Sequence, residues 1–580
     1  MPFRVNMGET RSIKITKLIV KNYRGIGSVG LEIDIDDVVV LVGPNNSGKS
    51  TILKAFQLVT ASSDTVIKID DFHNRDENNH PEIEVWSRVI DRKSVHIGAK
   101  EWIDSTDLVK EKWIWERAGS AAVRYGYRVD LGHWATSLDE PKAPFSNDGA
   151  AVAYRPFPTY ISPFDHPERQ VEEIKKILST DIYDQIKKEK KEDPRFKDLM
   201  EKISQFQEEI KFEARIKEED IADGISVILN DLFEGTKVSL HVPQVSPDVL
   251  QAYANTKDID FKINDLSLEN QGSGMLRMLL WSILKMLASK RSTESKSKKS
   301  TSKKISNESS DSDVIKSERS KILLMDEPEI CLHPESIRQA KDILYSLSSE
   351  GEWQTMITTH SPVFLDLSKD NTNIIRVQKD ETAVSIYKTN DASLSDGEKE
   401  RLKMLNIFDP YFAEFFFSKN TIVVEGDTEY TAFRKIIEFN REKYKDIHII
   451  RARGKYTIIP IIKILQKWGK DFSILHDSDE ETNAGPWTAN QQILDLIPDL
   501  QREKIKLVAT KKNFENAFFS KEATKDKPFN AYVKLDDPVI RAKVGKLLDF
   551  LCGLDTEIDS GLQESVCEYK TIEELALFVK

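Results

Sequence analysis

Cysteine is scarce. Cys331, Cys552 and Cys567 are the three among 580 residues, too few and too scattered for a disulfide framework or a zinc site. Long apolar runs are missing as well. No purely apolar stretch exceeds the five residues of Val38–Val42, far short of the roughly 20 that a bilayer-spanning helix needs, so no membrane partner is expected. The opening segment MPFRVNMGET has no apolar core followed by a small-residue cleavage site, so export is not expected and a reducing cytoplasm is. Positive charge is not in excess either: 84 Lys and Arg stand against 96 Asp and Glu, a net charge of -12. That balance argues against a protein that coats nucleic acid non-specifically, but a local basic surface can coexist with an acidic total.

What is present fits a soluble α/β protein of two or three domains. Ile13–Val42 reads as strands, Ile52–Leu58 as a helix, and PEIEVWSRVI at Pro81–Ile90 as another alternating strand. Residues 166–235 are rich in charge, nearly free of glycine and apolar at helical spacing, which predicts a helical insertion and dimerisation arm. Residues 288–320 are Ser/Lys-rich with little to bury, the composition of a disordered loop inserted within a domain. A second α/β unit is expected from about Asn420 to Phe519, followed by a helical tail. The expected organisation is the N-terminal part of a first α/β domain (1–165), the helical insertion (166–235), the C-terminal part of that first domain (236–395) and a second α/β domain with its helical tail (396–580).

The first chemical signal is Gly43-Pro-Asn-Asn46-Ser-Gly48-Lys49-Ser50. It fits G-x-x-x-x-G-K-[ST] and lies between a short apolar strand and a helix, the context in which backbone N–H groups and a helix N-terminus cradle phosphates. Gly43, Asn46, Gly48, Lys49, Ser50 and Thr51 are the candidate ATP-binding set, with Lys49 on the β and γ phosphates and Ser50 on Mg²⁺. Downstream, the four apolar residues Ile322–Met325 end in Asp326-Glu327-Pro328. Asp326 is placed to hold Mg²⁺ through water, and Glu327 to polarise the attacking water. His360, at the end of another short strand, is a candidate sensor of the γ-phosphate. Gln271-Gly272-Ser273-Gly274 opens a helix and offers a second anion site, with Ser273 and Gly274 as its contacts.

These motifs, in this order, resemble the ABC ATPases of the structural-maintenance-of-chromosomes and RecF-like kind. Lys21-Asn22-Tyr23-Arg24-Gly25 is similar to an element those proteins carry ahead of the P-loop, which implies a phosphate contact for Arg24. The wording DEPEICLHP with TTHSP resembles the OLD (overcoming lysogenization defect) family of ATP-dependent endonucleases. Two departures stand out. QGSG is not the LSGGQ of transporters, and no glutamine follows the first helix where Mg²⁺ is usually bound; Asp70, Asp71 and Phe72 lie near that place. In such ATPases the second anion element closes over the nucleotide of a partner subunit, so the resemblance implies a homodimer or larger.

A second constellation lies further on. Thr421-Ile-Val-Val-Glu425-Gly-Asp-Thr-Glu429 is an apolar strand ending in an acid, with another acid one helical turn later. Phe472-Ser-Ile-Leu-His-Asp477-Ser-Asp479 is a second strand whose two terminal acids face the same way. Glu515 follows a third strand. Gathered carboxylates repel one another unless a cation neutralises them, and hard cations such as Mg²⁺ or Mn²⁺ want oxygen ligands. Glu425, Glu429, Asp477, Asp479 and Glu515 are therefore candidate metal ligands for phosphodiester chemistry, with Glu425 and Asp477 at its centre. VVEGDTE with LHDSDE resembles the Toprim fold of topoisomerases, primases and OLD nucleases. The resemblance also implies a transition-state lysine beyond the last acid, for which Lys527 is the candidate.

The fold class expected is thus α/β: an ABC-type ATPase with a helical insertion, then a Toprim domain. The resemblance implies an ATP-regulated DNA endonuclease acting in antiphage defence, as in Gabija and retron-associated systems. Its expected partners are DNA and further copies of itself, with a helicase or a reverse transcriptase and its nucleic acid as a defence-system partner. Two alternatives stay open: an ATP-gated sensor or scaffold with an inactive Toprim domain, and an RNA nuclease.

Overall fold

The computed structural model describes residues 13–61, 65–90, 100–136, 139, 141–145, 155–162, 222–224, 226–227, 230, 237–241, 260–264, 266–267, 271–272, 274–286, 320–349, 353–367, 369–379, 384–389, 394–409, 412–418, 420–468, 471–479, 484–498, 504–519 and 525–580. The expected helical arm at 166–235 falls outside these except for a few helical positions from Ala222 to Asn230, and the Ser/Lys-rich loop and Ser273 also lie outside. The chain separates into two compact units. One comprises Met1–Val39 and Ser50–Thr359, the other Val40–Lys49 and His360–Lys580. No described helix is long and apolar enough to cross a membrane.

In the first unit, β1 (Ile13–Lys21) pairs antiparallel with β2 (Leu31–Asp34). The strand β3 (Val38–Val42), which from Val40 on counts with the second unit together with the P-loop to Lys49, has all five residues buried and leads to helix α1 (Lys49–Ala61). Four more strands, β4 (Glu82–Val89), β5 (Leu108–Ile114), β6 (Val123–Arg128) and β7 (His133–Trp134), extend an antiparallel sheet in the order β2-β1-β4-β5-β6-β7. Their alternating burial follows the period of two along a strand. Against the inner face lies a buried charge group: Glu111 accepts from Arg124 at 2.7 Å and from Arg155 at 2.8 Å. Burial alone would raise the Glu111 carboxyl, but the two guanidiniums outweigh it and hold it low.

The same unit holds β8 (Phe157–Ile161), a small antiparallel sheet of β9 (Val238–His241), β10 (Asp260–Ile263) and β11 (Leu266–Ser267), and the helical residues 274–286, here α2. Strand β12 (Lys321–Asp326) and, after helix α3 (Pro334–Ser349), β13 (Trp353–Thr358) are buried at every position. Both are parallel, with β8 on the other side of β12. Burial at every position, polar residues included, is what a sheet covered on both faces gives.

The second unit contains a hairpin of β14 (Thr372–Lys379) and β15 (Val384–Lys388), then helix α4 (Asp396–Phe408). An alternating run follows: β16 (Asn420–Val424), α5 (Asp427–Phe439), β17 (Ile447–Arg451), α6 (Lys455–Lys467), β18 (Phe472–Asp477), α7 (Ala484–Asp495) and β19 (Lys506–Thr510). Parallel strands need such crossover helices, and the four strands are parallel in the order β17-β16-β18-β19. Helices α8 (Phe514–Phe519), α9 (Lys527–Lys534) and α10 (Pro538–Leu551) follow. Strand β20 (Val566–Glu568) then closes the edge antiparallel to β19, before α11 (Ile572–Val579). Phe433, Phe514, Leu547 and Leu548 form the core beneath β16, β18 and β19. Glu425 and Asp477 thus fall at the carboxyl ends of the parallel strands β16 and β18, where open α/β sheets place their sites.

Candidate functional site

The P-loop backbone is set by its glycines. Gly43 has φ +148, and a Cβ there would stand 2.1 Å from the Val377 carbonyl oxygen, so any larger residue would force the loop away. Asn46 (φ 62) and Gly48 (φ +106) complete the turn. Lys49 is buried, and its ammonium donates to the Gly43 and Pro44 carbonyls, each at 2.9 Å. Thr51 lies in the first turn of α1.

At the end of β12, Ser50 donates to Asp326 Oδ1 at 3.1 Å, and the Thr358 hydroxyl donates to the same oxygen. Glu327 has a left-handed backbone (φ 50), and its N–H donates to Thr358 O at 3.1 Å. This kink brings its carbonyl to Arg277 of α2, 3.4 Å away. Gly274, which opens α2, passes so close to the Cys331 carbonyl that a Cβ would stand 2.7 Å from it. The helix that carries the second anion element is thereby docked on the turn following the acid pair.

Arg24 is engaged by Asp71: its Nε donates to Oδ1 at 2.7 Å, and its backbone N–H to the Asp71 carbonyl at 2.8 Å. Tyr23 bridges Phe72 in the same place. The acidic-aromatic element therefore locks onto the NYRG segment, and Arg24 meets a carboxylate there. His360 is exposed, with its ring 6.5 Å from that of Phe417.

The acid cluster of the second unit is built on β16 and β18. Glu425 follows β16, and its Oε2 accepts from the Asp477 N–H at 3.1 Å. Glu429, buried in the first turn of α5, folds back to accept from Gly426 N at 3.1 Å. Asp477 is held by the Thr510 hydroxyl at 2.7 Å and by the Phe514 N–H at 3.0 Å. Burial, then the mutual repulsion of Glu429 and Glu425, raises the Asp477 carboxyl well above its usual range. Burial, joined by Glu425 and Glu515, pushes Glu429 up to about 7. Burial also raises Glu425, although Lys455 opposes it.

Glu425, Glu429 and Asp477 are thus brought together. Asp479, with φ 54, is instead paired with Lys455. Glu515 is buried in α8, accepts from Thr428 at 3.1 Å, and has the Lys527 ammonium 3.5 Å away. Among the described residues no three acidic, histidine or cysteine side chains are already drawn up to hold an ion. The donors are nonetheless all hard oxygens whose charges oppose one another, which is the chemistry a divalent cation satisfies. Lys455 escaped the reading of the sequence. Its only signal is Arg453-Gly454-Lys455 directly after β17.

An α/β fold with a P-loop, a strand-end acid pair and a second acid cluster at strand ends defines an ATPase joined to a Toprim domain. The model of an AAA ATPase domain matches residues 13–116 and 162–365, more than half of the chain. The model of the Toprim domain of overcoming-lysogenization-defect-like proteins matches residues 416–479. The "Old nuclease" of Escherichia phage P2 is 25% identical over 505 residues, covering 81% of this chain and 78% of that protein. The "OLD nuclease" of Thermus scotoductus is 27% identical over 168 residues, 28% of this chain and 31% of that one. Among solved structures, an Smc head bound to the C-terminal winged-helix domain of ScpA covers 64% of this chain and 97% of its own, at 15% identity and a TM-score of 0.40. The chain belongs to the AAA ATPase domain family and carries, after the ATPase part, a Toprim domain of the overcoming-lysogenization-defect-like kind.

Proposed function

We propose that the chain is an ATP-regulated, divalent-metal-dependent DNA endonuclease that acts in the cytoplasm in antiphage defence. The observation that carries the reading is the meeting of Glu425 and Asp477, at the ends of adjoining parallel strands, with Glu429 in the first turn of α5, burial and repulsion raising all three. Keeping such acids together without a function that uses them costs stability. Its relatives' names as nucleases point the same way.

In this reading Glu425, Glu429 and Asp477 hold a first Mg²⁺ or Mn²⁺, and Asp479 and Glu515 complete the ligand set. A bound pair of ions supplies an activated water and a counter-charge for the leaving oxygen. Lys527, 3.5 Å from Glu515, would steady the phosphate in the transition state. The P-loop, Ser50 and Asp326 hold Mg-ATP, Glu327 orients the attacking water, and His360 reports on the γ-phosphate. Ser273 and Gly274 close over the nucleotide of a second copy, so the working form is a dimer or larger, with residues 166–235 as its arm.

The test is cleavage of supercoiled plasmid with Mg²⁺ or Mn²⁺, comparing wild type with Asp477→Ala, each with and without ATP. Cutting that disappears in the variant is expected, and the ATP lanes give the direction of control. Equal cutting by both proteins would remove the acid cluster from the chemistry. A single-stranded RNA substrate in parallel separates DNA from RNA cleavage.

A further inference from the structure

Lys455 has no part in that reading, yet it is a buried cation set into the acid cluster. It begins α6, directly after the Arg453-Gly454 turn, and is one-twentieth exposed. Its ammonium donates to the Asp477 carbonyl at 2.6 Å and to the Asp479 carboxylate. It is also close enough to act on Glu425. A buried ammonium costs several kcal/mol unless it is paired and hydrogen-bonded, so its presence is stabilised by the acids around it.

We propose that Lys455 is a resident counter-cation that occupies Asp479 in place of a second divalent ion, so that the site takes one ion readily and a second only when Asp479 leaves Lys455. This deepens the metal-dependent reading and rests on it. The argument turns on which partner can move. The Lys455 side chain is 4% exposed and anchored to a main-chain carbonyl, whereas that of Asp479 is 33% exposed and sits on a left-handed turn. Asp479 is therefore the swinging member. An ammonium and an incoming cation compete for its carboxylate, and removing the ammonium should favour the ion. Lys455 is a positioning residue in this account, acting through Asp479.

The experiment counts Mn²⁺ bound to the full chain by calorimetry and electron paramagnetic resonance, without nucleotide. An Asp326→Asn background keeps the ATPase site from contributing an ion. Wild-type residues at 455 and 479 should give one tight ion per chain and a second, weaker one. Lys455→Met should bind the second ion at least about tenfold more tightly, Lys455→Arg should behave as the parent, and Asp479→Asn should lose the second ion while keeping the first. An unchanged second affinity in Lys455→Met overturns the proposal, because a merely structural lysine would lower stability without raising affinity. If Lys455→Met does not fold, Asp479→Asn decides alone: retention of the second ion overturns the proposal. A parent chain that binds no Mn²⁺ at all overturns the metal-dependent reading itself, a result distinct from either of these.

Discussion

The two units use one local device in two settings. In each, a buried parallel strand ends in an aspartate whose register partner on the next strand is a threonine: Asp326 with Thr358, and Asp477 with Thr510. In each the threonine hydroxyl donates to the aspartate. What differs is the rest of the surroundings. Asp326 meets the Ser50 hydroxyl, while Asp477 meets Glu425 and lies within the field of Glu429. A hydroxyl-lined acid suits a cation that arrives already carried by phosphate. A carboxylate-lined acid asks for cations of its own. The backbone thus places the acid in the same way twice, and the side chains packed around it set the two apart.

The sharpest break of this comparison is to disable each aspartate in turn. Asp477→Asn should lower DNA cleavage by about a thousandfold or more while leaving ATP hydrolysis in place. Asp326→Asn should do the reverse to hydrolysis, and so should Glu327→Gln, which is expected to keep ATP binding and lose about a hundredfold or more in phosphate release. Phosphate release and plasmid cutting on the same preparations check all three. Loss of both activities in either aspartate variant would mean that the two sites do not work as separate chemical centres.

Next in size is pH. Glu429 is raised from 4.5 to about 7. A carboxyl raised in the folded state binds its proton more tightly there than in the unfolded chain. Its stabilising contribution is therefore present below about 4.5 and is lost as pH rises through about 7. The metal-free protein should accordingly lose on the order of 3 kcal/mol between those limits from this group. Thermal unfolding at pH 6 and pH 8 measures the effect, with the higher Tm expected at pH 6. Mn²⁺ should close the gap, raising Tm more at pH 8, where it meets less competition from protons. A Tm that rises toward pH 8 without metal would contradict the crowding of the cluster.

Much of this was readable in advance, and the boundary has a physical origin. Mostly apolar runs such as Ile322–Met325 and Phe472–Leu475, the latter broken only by Ser473, announce strands buried on both faces, and an acid at the end of such a run stands out. Pairings that depend on tertiary approach do not stand out. Arg24 and Asp71 meet because the chain returns to place Phe72 beside Tyr23, and nothing local marks Asp71 as the partner. Lys455 looks like any lysine at the start of an amphipathic helix. Its burial follows only from the parallel pairing of β16 with both β17 and β18, which brings the segment after β17 to the end of β18. The same limit applies to Asp479: spacing puts it on the face of Asp477, while its left-handed backbone turns it to Lys455.

The smallest expected effect tests the shared device itself. Thr358→Val and Thr510→Val each remove one hydroxyl from a fully buried position at nearly constant volume. Each should cost about 1–3 kcal/mol of stability, since an acid loses a donor it cannot replace from water. Their functional consequences should differ. The Thr510 hydrogen bond lowers the Asp477 carboxyl against burial and repulsion, so its loss raises that group further and weakens cation binding severalfold near neutral pH. The same change at Thr358 leaves Asp326 its Ser50 contact and removes a bond that also orders the Glu327 N–H. Hydrolysis should fall more than nucleotide affinity there. Calorimetric titration of Mn²⁺ and of Mg-ATP, one against each variant, separates the two, and equal losses of both ligands in both variants would mean the threonines only stabilise the fold.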